Sequence, residues 1–299
     1  MKAVTKALGE ALVVGSGWSS VTRRSLRGCS MVLAFHNVVP DAMTGRGDAS
    51  LHLSATRFSQ HLAVLSRHCR VVPLLEVIDP PPARAQDRPR VAITFDDAYR
   101  GSLALGLDLL SRRGMPATVF AAPALLDDRT AWWDALADPM GGGLDRELRG
   151  EILRAGGGVE DARRMAGPAP WARMPALLRI ATAEELRLAS RRPGVRIGSH
   201  AWSHRNLEAL GKEEIDEDLQ AARHWLRRHM EAAYLDAVSY PYGKAGGNVR
   251  DAARNAGYRA GLTLHGGWVP EAADPGGLPR LNVPAGLSSR GLILRISRR

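Results

Sequence analysis

The sequence predicts an α/β fold: parallel strands joined by crossover helices, in a single domain. Three observations predict it. Short apolar runs alternate with longer amphipathic segments, the order strand, helix, strand, helix. Thr94-Phe95-Asp96-Asp97 and Ser199-His200-Ala201-Trp202-Ser203-His204 each directly follow such a run, and parallel-sheet enzymes place their sites at the carboxyl ends of strands. The chain has 299 residues, a length that single α/β barrels commonly reach.

Met31-Val32-Leu33-Ala34-Phe35 reads as a buried strand ending at His36. Ser54 to His68 reads as a helix, with Phe58, Leu62 and Leu65 on one face. Val71-Val72 reads as a short strand, and the proline-rich stretch from Asp79 to Pro89 as a loop. Val91 to Phe95 is the next strand. Ser102 to Arg113 is a helix with Leu103, Leu107 and Leu110 aligned, stopped by Gly114, and Ala117 to Ala122 is a strand. The alternation then breaks off from about Trp132 to Pro175, where three glycine-rich turns fall. This stretch reads as an insertion with short helices over one barrel end, either a lid or an excursion without a role. Thr182-Ala183-Glu184-Glu185 is a capping box that opens a helix. Val195 to Gly198 is a strand, Lys212 to His229 an amphipathic helix through Ile215, Leu219, Ala222 and Leu226, and Ala237 to Tyr240 a strand. Asn248 to Ala256 is a helix and Tyr258 to Leu264 a strand. The expected organisation is an N-terminal amphipathic helix or extension over 1–28, the barrel over 29–285 with its insertion at 132–175, and a basic C-terminal tail over 286–299.

The composition is that of a globular protein, 45% hydrophobic and 24% charged. Lys and Arg total 41 against 31 Asp and Glu, a net charge of +10. The arginines are scattered and not interleaved with aromatics, which argues against a nucleic-acid partner. They read as a solvated surface or as affinity for an anionic one. Cys29 and Cys69 form neither a disulfide framework nor a thiolate metal site. Near the N-terminus, Ala11-Leu12-Val13-Val14 is too short for a signal-peptide core, and no segment is long enough to span a membrane. The expectation is a cytoplasmic protein. Its basic N-terminal helix is read as a packing element that also allows contact with the inner membrane face.

Two carboxylates after a buried strand need cations or strong donors. Adjacent strand residues point to opposite faces, so Asp96 and Asp97 can take different tasks. His200 and His204, four apart, would share one side of a helical turn. Asp97, His200 and His204 then make a three-ligand site for a divalent metal: Zn2+, or alternatively Co2+ or Ni2+. Such an ion lowers the pKa of water towards ~7 and polarises a carbonyl oxygen. Asp96 is the candidate general base, or else a partner to Arg100. Ser239-Tyr240-Pro241-Tyr242-Gly243 reads as a fixed turn after a strand, whose backbone N–H groups could face a developing oxyanion.

Together these three motifs resemble those of the polysaccharide deacetylases, the NodB-type domain of carbohydrate esterase family four. Gly114-Met115-Pro116-Ala117-Thr118-Val119-Phe120 and Trp132-Trp133-Asp134 are in the same style, and the resemblance runs from about Met31 to Val283. It implies a distorted (β/α)7-type barrel that hydrolyses N-acetyl, less often O-acetyl, groups of a sugar, glycolipid or polysaccharide. Asp96 resembles the catalytic base, and Asp97, His200 and His204 the metal ligands. The Tyr242 N–H resembles the oxyanion donor, and Trp202, Tyr240 and Pro241 are candidate substrate contacts. Trp132 and Trp133 are either sugar-stacking faces or core. Two departures stand out. Many members carry an arginine two residues before the proline of the third motif, where it orients the base; this chain has Ser239, as in a subgroup linked to exopolysaccharide biosynthesis. The late histidine that serves as general acid has no clean counterpart. His36, at the end of the first strand in Phe35-His36-Asn37-Val38, is favoured over His265. The remaining histidines, His52 and His61 among them, read as surface or core residues. Two other functions fit the motifs: an amidohydrolase acting on a non-sugar C–N bond, and an inactive glycan-binding barrel.

Overall fold

The computed structural model describes residues 26, 28–81, 88–138, 143–167 and 174–297. The chain begins with β1 (Ser30–Phe35), β2 (Asn37–Val39), β3 (His52–Ser54), α1 (Ala55–His68), β4 (Arg70–Val71) and α2 (Leu75–Ile78). Next come β5 (Arg90–Phe95), a π-helical turn over Ser102–Gly106 that runs into α3 (Leu107–Ser111), and β6 (Ala117–Ala121). The insertion carries α4 (Trp132–Ala135), α5 (Arg146–Ala155) and α6 (Val159–Ala166). Then follow α7 (Ala183–Ser190), β7 (Val195–Ser199), α8 (Lys212–Met230), β8 (Tyr234–Ser239), α9 (Gly247–Asn255), β9 (Ala260–Leu262), β10 (Trp268–Val269), β11 (Arg280–Asn282) and α10 (Ser289–Arg295).

The main sheet runs β10-β1-β5-β6-β7-β8-β9, with β11 added to β1 and β4 to β5. Every pairing in it is parallel except β1 with β10. All six residues of β1 and all six of β5 are buried, as expected for strands covered on both faces. Their side chains alternate between two cores. Met31, Leu33, Phe35, Val91, Ile93 and Phe95 face the main helix-covered core, whereas Val32 and Ala92 join Phe120, Ala237, Ala260, Leu262 and Leu278 in a second cluster. That second interior is narrow. A Cβ on Gly198 would stand 2.4 Å from the Phe120 ring, so only glycine fits there.

The sheet curls into the distorted barrel predicted from the sequence. The Leu278 N–H donates to Gly261 O (2.8 Å) and the Thr263 N–H to Leu278 O (2.9 Å), tying β9 to the segment that runs into β11. β11 pairs Val32 with Arg280 and Ala34 with Asn282. The last strand thus brings the two ends of the curl together.

Most predicted elements recur with small shifts. Ser54 caps α1 by accepting the Arg57 N–H, and Thr182 and Glu185 form the reciprocal box at α7. The final stretch differs from the expected basic tail. α10 packs on α1, with Leu292 and Ile296 in the main core, because the stretch is amphipathic as well as basic. The expected N-terminal helix lies outside the described residues apart from 26 and 28. No helix among the described residues is long and apolar enough to cross a membrane.

Candidate active site

β1 and β5 end in register, Phe35 opposite Phe95, so His36 and Asp96 leave the sheet side by side. The Asp96 N–H donates to Phe35 O at 2.9 Å. Asp96 and Asp97 then diverge, but by a route other than strand alternation. β5 stops at Phe95, and Asp97 (φ 66°) and Ala98 (φ 51°) adopt left-handed conformations. Such backbone is costly for non-glycine residues and persists only where its surroundings enforce it. Here Ala98 O accepts the Ala181 N–H, and the Arg100 N–H donates to Arg179 O. The Arg100 side chain is drawn to Asp128 and Glu185, which removes it as a partner for Asp96.

The histidine motif is likewise not helical. Ala201 (φ 59°) and His204 (φ 56°) kink the loop after β7, correcting the expected helical turn. Asp218 on α8 holds the loop by accepting the Trp202 N–H (2.6 Å) and the Ser203 hydroxyl. The two imidazoles meet at 4.6 Å between centroids, nearly perpendicular.

Asp97, His200 and His204 converge, one ligand atom of each lying within 4.8 Å of the others. Asp97 Oδ1 is 2.9 Å from His204 Nε2 and 3.4 Å from His200 Nε2, and no well-formed hydrogen bond satisfies it. His200 Nδ1 lies 2.6 Å from Ser239 O, which can only accept, so the proton sits on Nδ1 and the Nε2 lone pair faces Asp97. A buried carboxylate oxygen converging with two imidazole Nε2 atoms is a donor set for a divalent cation, and the residues fit one. Burial opposes the charge on Asp97, but its contacts with His200 and His204 prevail and hold it well below the ordinary carboxylate range. His204 is shifted downward because burial dominates. His200 is shifted upward because, against burial, the carboxylates of Asp96 and Asp97 prevail.

Asp96 is 1% exposed, and its partner is one that the sequence did not reveal. Arg280 Nη1 donates to Oδ1 at 2.7 Å and Nη2 to Oδ2 at 2.8 Å. Ser239 Oγ adds a donor to Oδ1 at 3.2 Å. Burial works against the charge on Asp96, yet the guanidinium holds it below the ordinary range. An alternating segment, Leu278-Pro279-Arg280-Leu281-Asn282-Val283, was the available signal for this strand. Its short length and terminal position hid it.

Other predicted residues separate. His36 is half-buried, and its charge acts on Asp96. His265 is exposed in the turn after β9, where the adjoining Leu264 packs against Gly243. Tyr242 is left-handed (φ 60°), its ring edge-on to His204 at 4.9 Å. Trp202 is only partly buried and keeps surface for a ligand. Tyr240 does not: it is fully buried and its hydroxyl donates to Gly276 O, so it braces the turn from within. Pro241 is buried beside it. Both are corrected from substrate contacts to packing residues.

Trp132 and Trp133 are core, at 2% and 4% exposure. Trp133 packs on His204 (4.7 Å) and donates to Tyr99 Oη at 2.7 Å. The Tyr99 hydroxyl donates to Asp134 Oδ2 at 2.6 Å, and Asp134 Oδ1 meets His52 Nε2 at 2.9 Å. His52, read from the sequence as filler, is thus part of a buried network behind His204. The insertion closes over the same side. Trp132 Nε1 and the Tyr242 hydroxyl both donate to Gly157 O, at 3.1 and 2.8 Å.

A family model for polysaccharide deacetylases matches residues 83–261, more than half of the chain. The chain belongs to the polysaccharide deacetylase family. It is therefore a hydrolase of that class. Among solved structures, it superposes on a Streptococcus pyogenes deacetylase, PplD, in complex with acetate (TM-score 0.62, 15% identity, 90% of this chain and 98% of that one). IcaB from Ammonifex degensii is similar at 0.61 and 17% identity, covering 90% and 97%. The BpsB deacetylase domain from Bordetella bronchiseptica gives 0.53 and 18%, covering 86% and 96%. At these identities the likeness supports the fold. A comparison with curated proteins finds no match.

Proposed function

We propose that this polysaccharide deacetylase is metal-dependent and removes N-acetyl groups from a sugar polymer, with Asp96 as the base. The observation that carries the reading is the buried Asp97–His200–His204 set adjoining a carboxylate held ionised by a guanidinium. A divalent cation in that set, Zn2+ or alternatively Co2+ or Ni2+, would polarise the acetyl carbonyl and activate water.

The chain's own groups supply the rest. Asp96, with both oxygens oriented, takes a proton from the attacking water as its oxygen bonds to the carbonyl carbon. The Tyr242 N–H donates to the oxygen that becomes negative. His36, which leaves the sheet beside Asp96, passes a proton to the amide nitrogen as the C–N bond breaks, releasing acetate and a free amine. Trp202, on the histidine loop, offers the sugar-stacking face. The match to polysaccharide deacetylases supports a polysaccharide as substrate.

Acetate release from N- and O-acetylated polysaccharides and glycolipids, by protein loaded with Zn2+, Co2+ or Ni2+, tests this. Asp96→Asn should keep about one metal per chain and lose turnover. Asp97→Ala should lose both. Near-full rate in Asp96→Asn would overturn the base assignment. Release of ammonia in place of acetate would indicate a different amidohydrolase.

A further inference from the structure

We propose that Arg280, delivered by β11, is the residue that positions Asp96 for proton transfer, in place of the arginine that Ser239 lacks on β8. The inference rests on the deacetylase reading above. Arg280 is 0% exposed, and each of its three side-chain nitrogens has a partner. Nε donates to Thr263 O at 3.3 Å, Nη1 to Thr94 Oγ1 at 3.2 Å as well as to Asp96, and Nη2 to Ser239 Oγ at 2.7 Å as well as to Asp96. Its Cζ stands 5.6 Å over the Phe120 ring. Two parallel N–H···O bonds fix the carboxylate plane as one bond could not. Asp96 Oδ1 takes two donors, whereas Oδ2 takes one and keeps acceptor capacity for a proton from water.

The sequence difference at 239 belongs to the same arrangement. Ser239 is fully buried, and its hydroxyl lies between the guanidinium and Asp96 Oδ1. A long side chain there would occupy the space that Arg280 fills. The small residue on β8 and the large one on β11 are complementary. Arg280 also lies beyond residue 261, where the family match ends. Its strand is anchored elsewhere, through the pairing of β11 with β1 and the Val283 N–H to Ala34 O. Alignment of the base therefore depends on the last strand being in place.

The test compares Arg280→Lys, Arg280→Gln, Arg280→Ser and the exchange Ser239→Arg/Arg280→Ser with wild type. Folding, metal content, kcat and KM are each measured. Misplacing a catalytic group by about 1 Å costs about 100-fold. Arg280→Gln should lose roughly that in kcat, with KM and about one metal per chain unchanged. The exchange should fold, bind metal and turn over faster than Arg280→Ser alone, because it returns a guanidinium to Asp96 from the other strand. A kcat within about threefold of wild type in a folded, metal-loaded single variant of Arg280 overturns the proposal. So does an exchange variant that folds without recovering rate. If neither the single variants nor the exchange fold, Arg280 is a core residue and the proposal is again overturned. Absence of acetate release by wild type sinks the deacetylase reading instead, so the two failures are told apart.

Discussion

The carbonyl of Gly157 is where the insertion is fastened to the barrel, and it makes a measurable prediction. Two buried donors reach it: Trp132 Nε1 at 3.1 Å and the Tyr242 hydroxyl at 2.8 Å. The neighbouring Asn206 N–H donates to Gly156 O at 2.7 Å, and Asn206 Nδ2 to Leu153 O at 2.9 Å, so this turn is held against the histidine loop. Tyr242→Phe removes one donor and leaves the carbonyl paired. The expected cost is about 1 kcal/mol, the net worth of one hydrogen bond. Trp132→Phe loses the other donor and some packing, about 1–2 kcal/mol. Removing both leaves a buried carbonyl unpaired, a desolvation cost of about 1–3 kcal/mol, so the double variant should cost about 1 kcal/mol more than the two singles summed. Local opening of α5 and α6 reports it. Amide exchange over residues 146–166 should accelerate about fivefold in Tyr242→Phe, about 5- to 30-fold in Trp132→Phe and by more than about 100-fold in the double. Because Tyr242→Phe keeps its backbone N–H, kcat should change little in that variant. Strictly additive singles, or unchanged exchange across 146–166, would refute the shared-carbonyl latch.

Two further outcomes follow from named residues. His36→Ala should lower kcat by about 100-fold or more, while His265→Ala, altering an exposed residue, stays near wild type; the reverse ranking in acetate-release assays refutes the acid assignment. His61 is buried with Nε2 on Leu287 O, and burial lowers its pKa to about 4 from an ordinary 6.5. The unfolded chain takes up that proton first, so the stability is intact above pH 6.5 and is lost by up to roughly 3 kcal/mol as pH falls towards 4. Urea midpoints at pH 7.5 and 5 for wild type and His61→Phe check this; an equal pH slope in the two proteins refutes it.

The α/β alternation was legible because covered parallel strands such as Val91–Phe95 write their burial as continuous apolar runs. The candidate metal set was legible for a related reason. Asp97, His200 and His204 are residue types that a folding chain does not place after core strands without need. Neither strand alternation nor a helical turn produces their convergence. Left-handed backbone at Asp97, Ala201 and His204 brings the three together, and nothing in local periodicity encodes it. Arg280 and His52 were illegible for a different reason. Their partners, Asp96 and Asp134, stand far away in sequence, and a single buried cation or imidazole has no pattern until the fold supplies its counter-charge. Tyr240 was misread because a turn at a site mouth has an inner as well as an outer side.

The site divides into two parts with different dependence on the fold. The candidate metal ligands come from the loops after β5 and β7, braced by α8 through Asp218 and by α4 through Trp133. All of these elements lie within residues 83–261. The groups proposed to handle protons straddle the other edge: Asp96 after β5, His36 after β1 and Arg280 on β11, the last two outside that stretch. Ser239 on β8 touches both parts, its carbonyl accepting from His200 Nδ1 and its hydroxyl lying against Asp96 and Arg280. A change at Ser239 is therefore felt by the candidate ligand His200 and by the proposed base Asp96 together. A disturbance of β11 reaches the base first, because the ligand contacts of Asp97, His200 and His204 do not pass through that strand. Metal content alone would then misjudge such a protein as intact, and turnover is the property that reports whether the barrel has closed around Asp96.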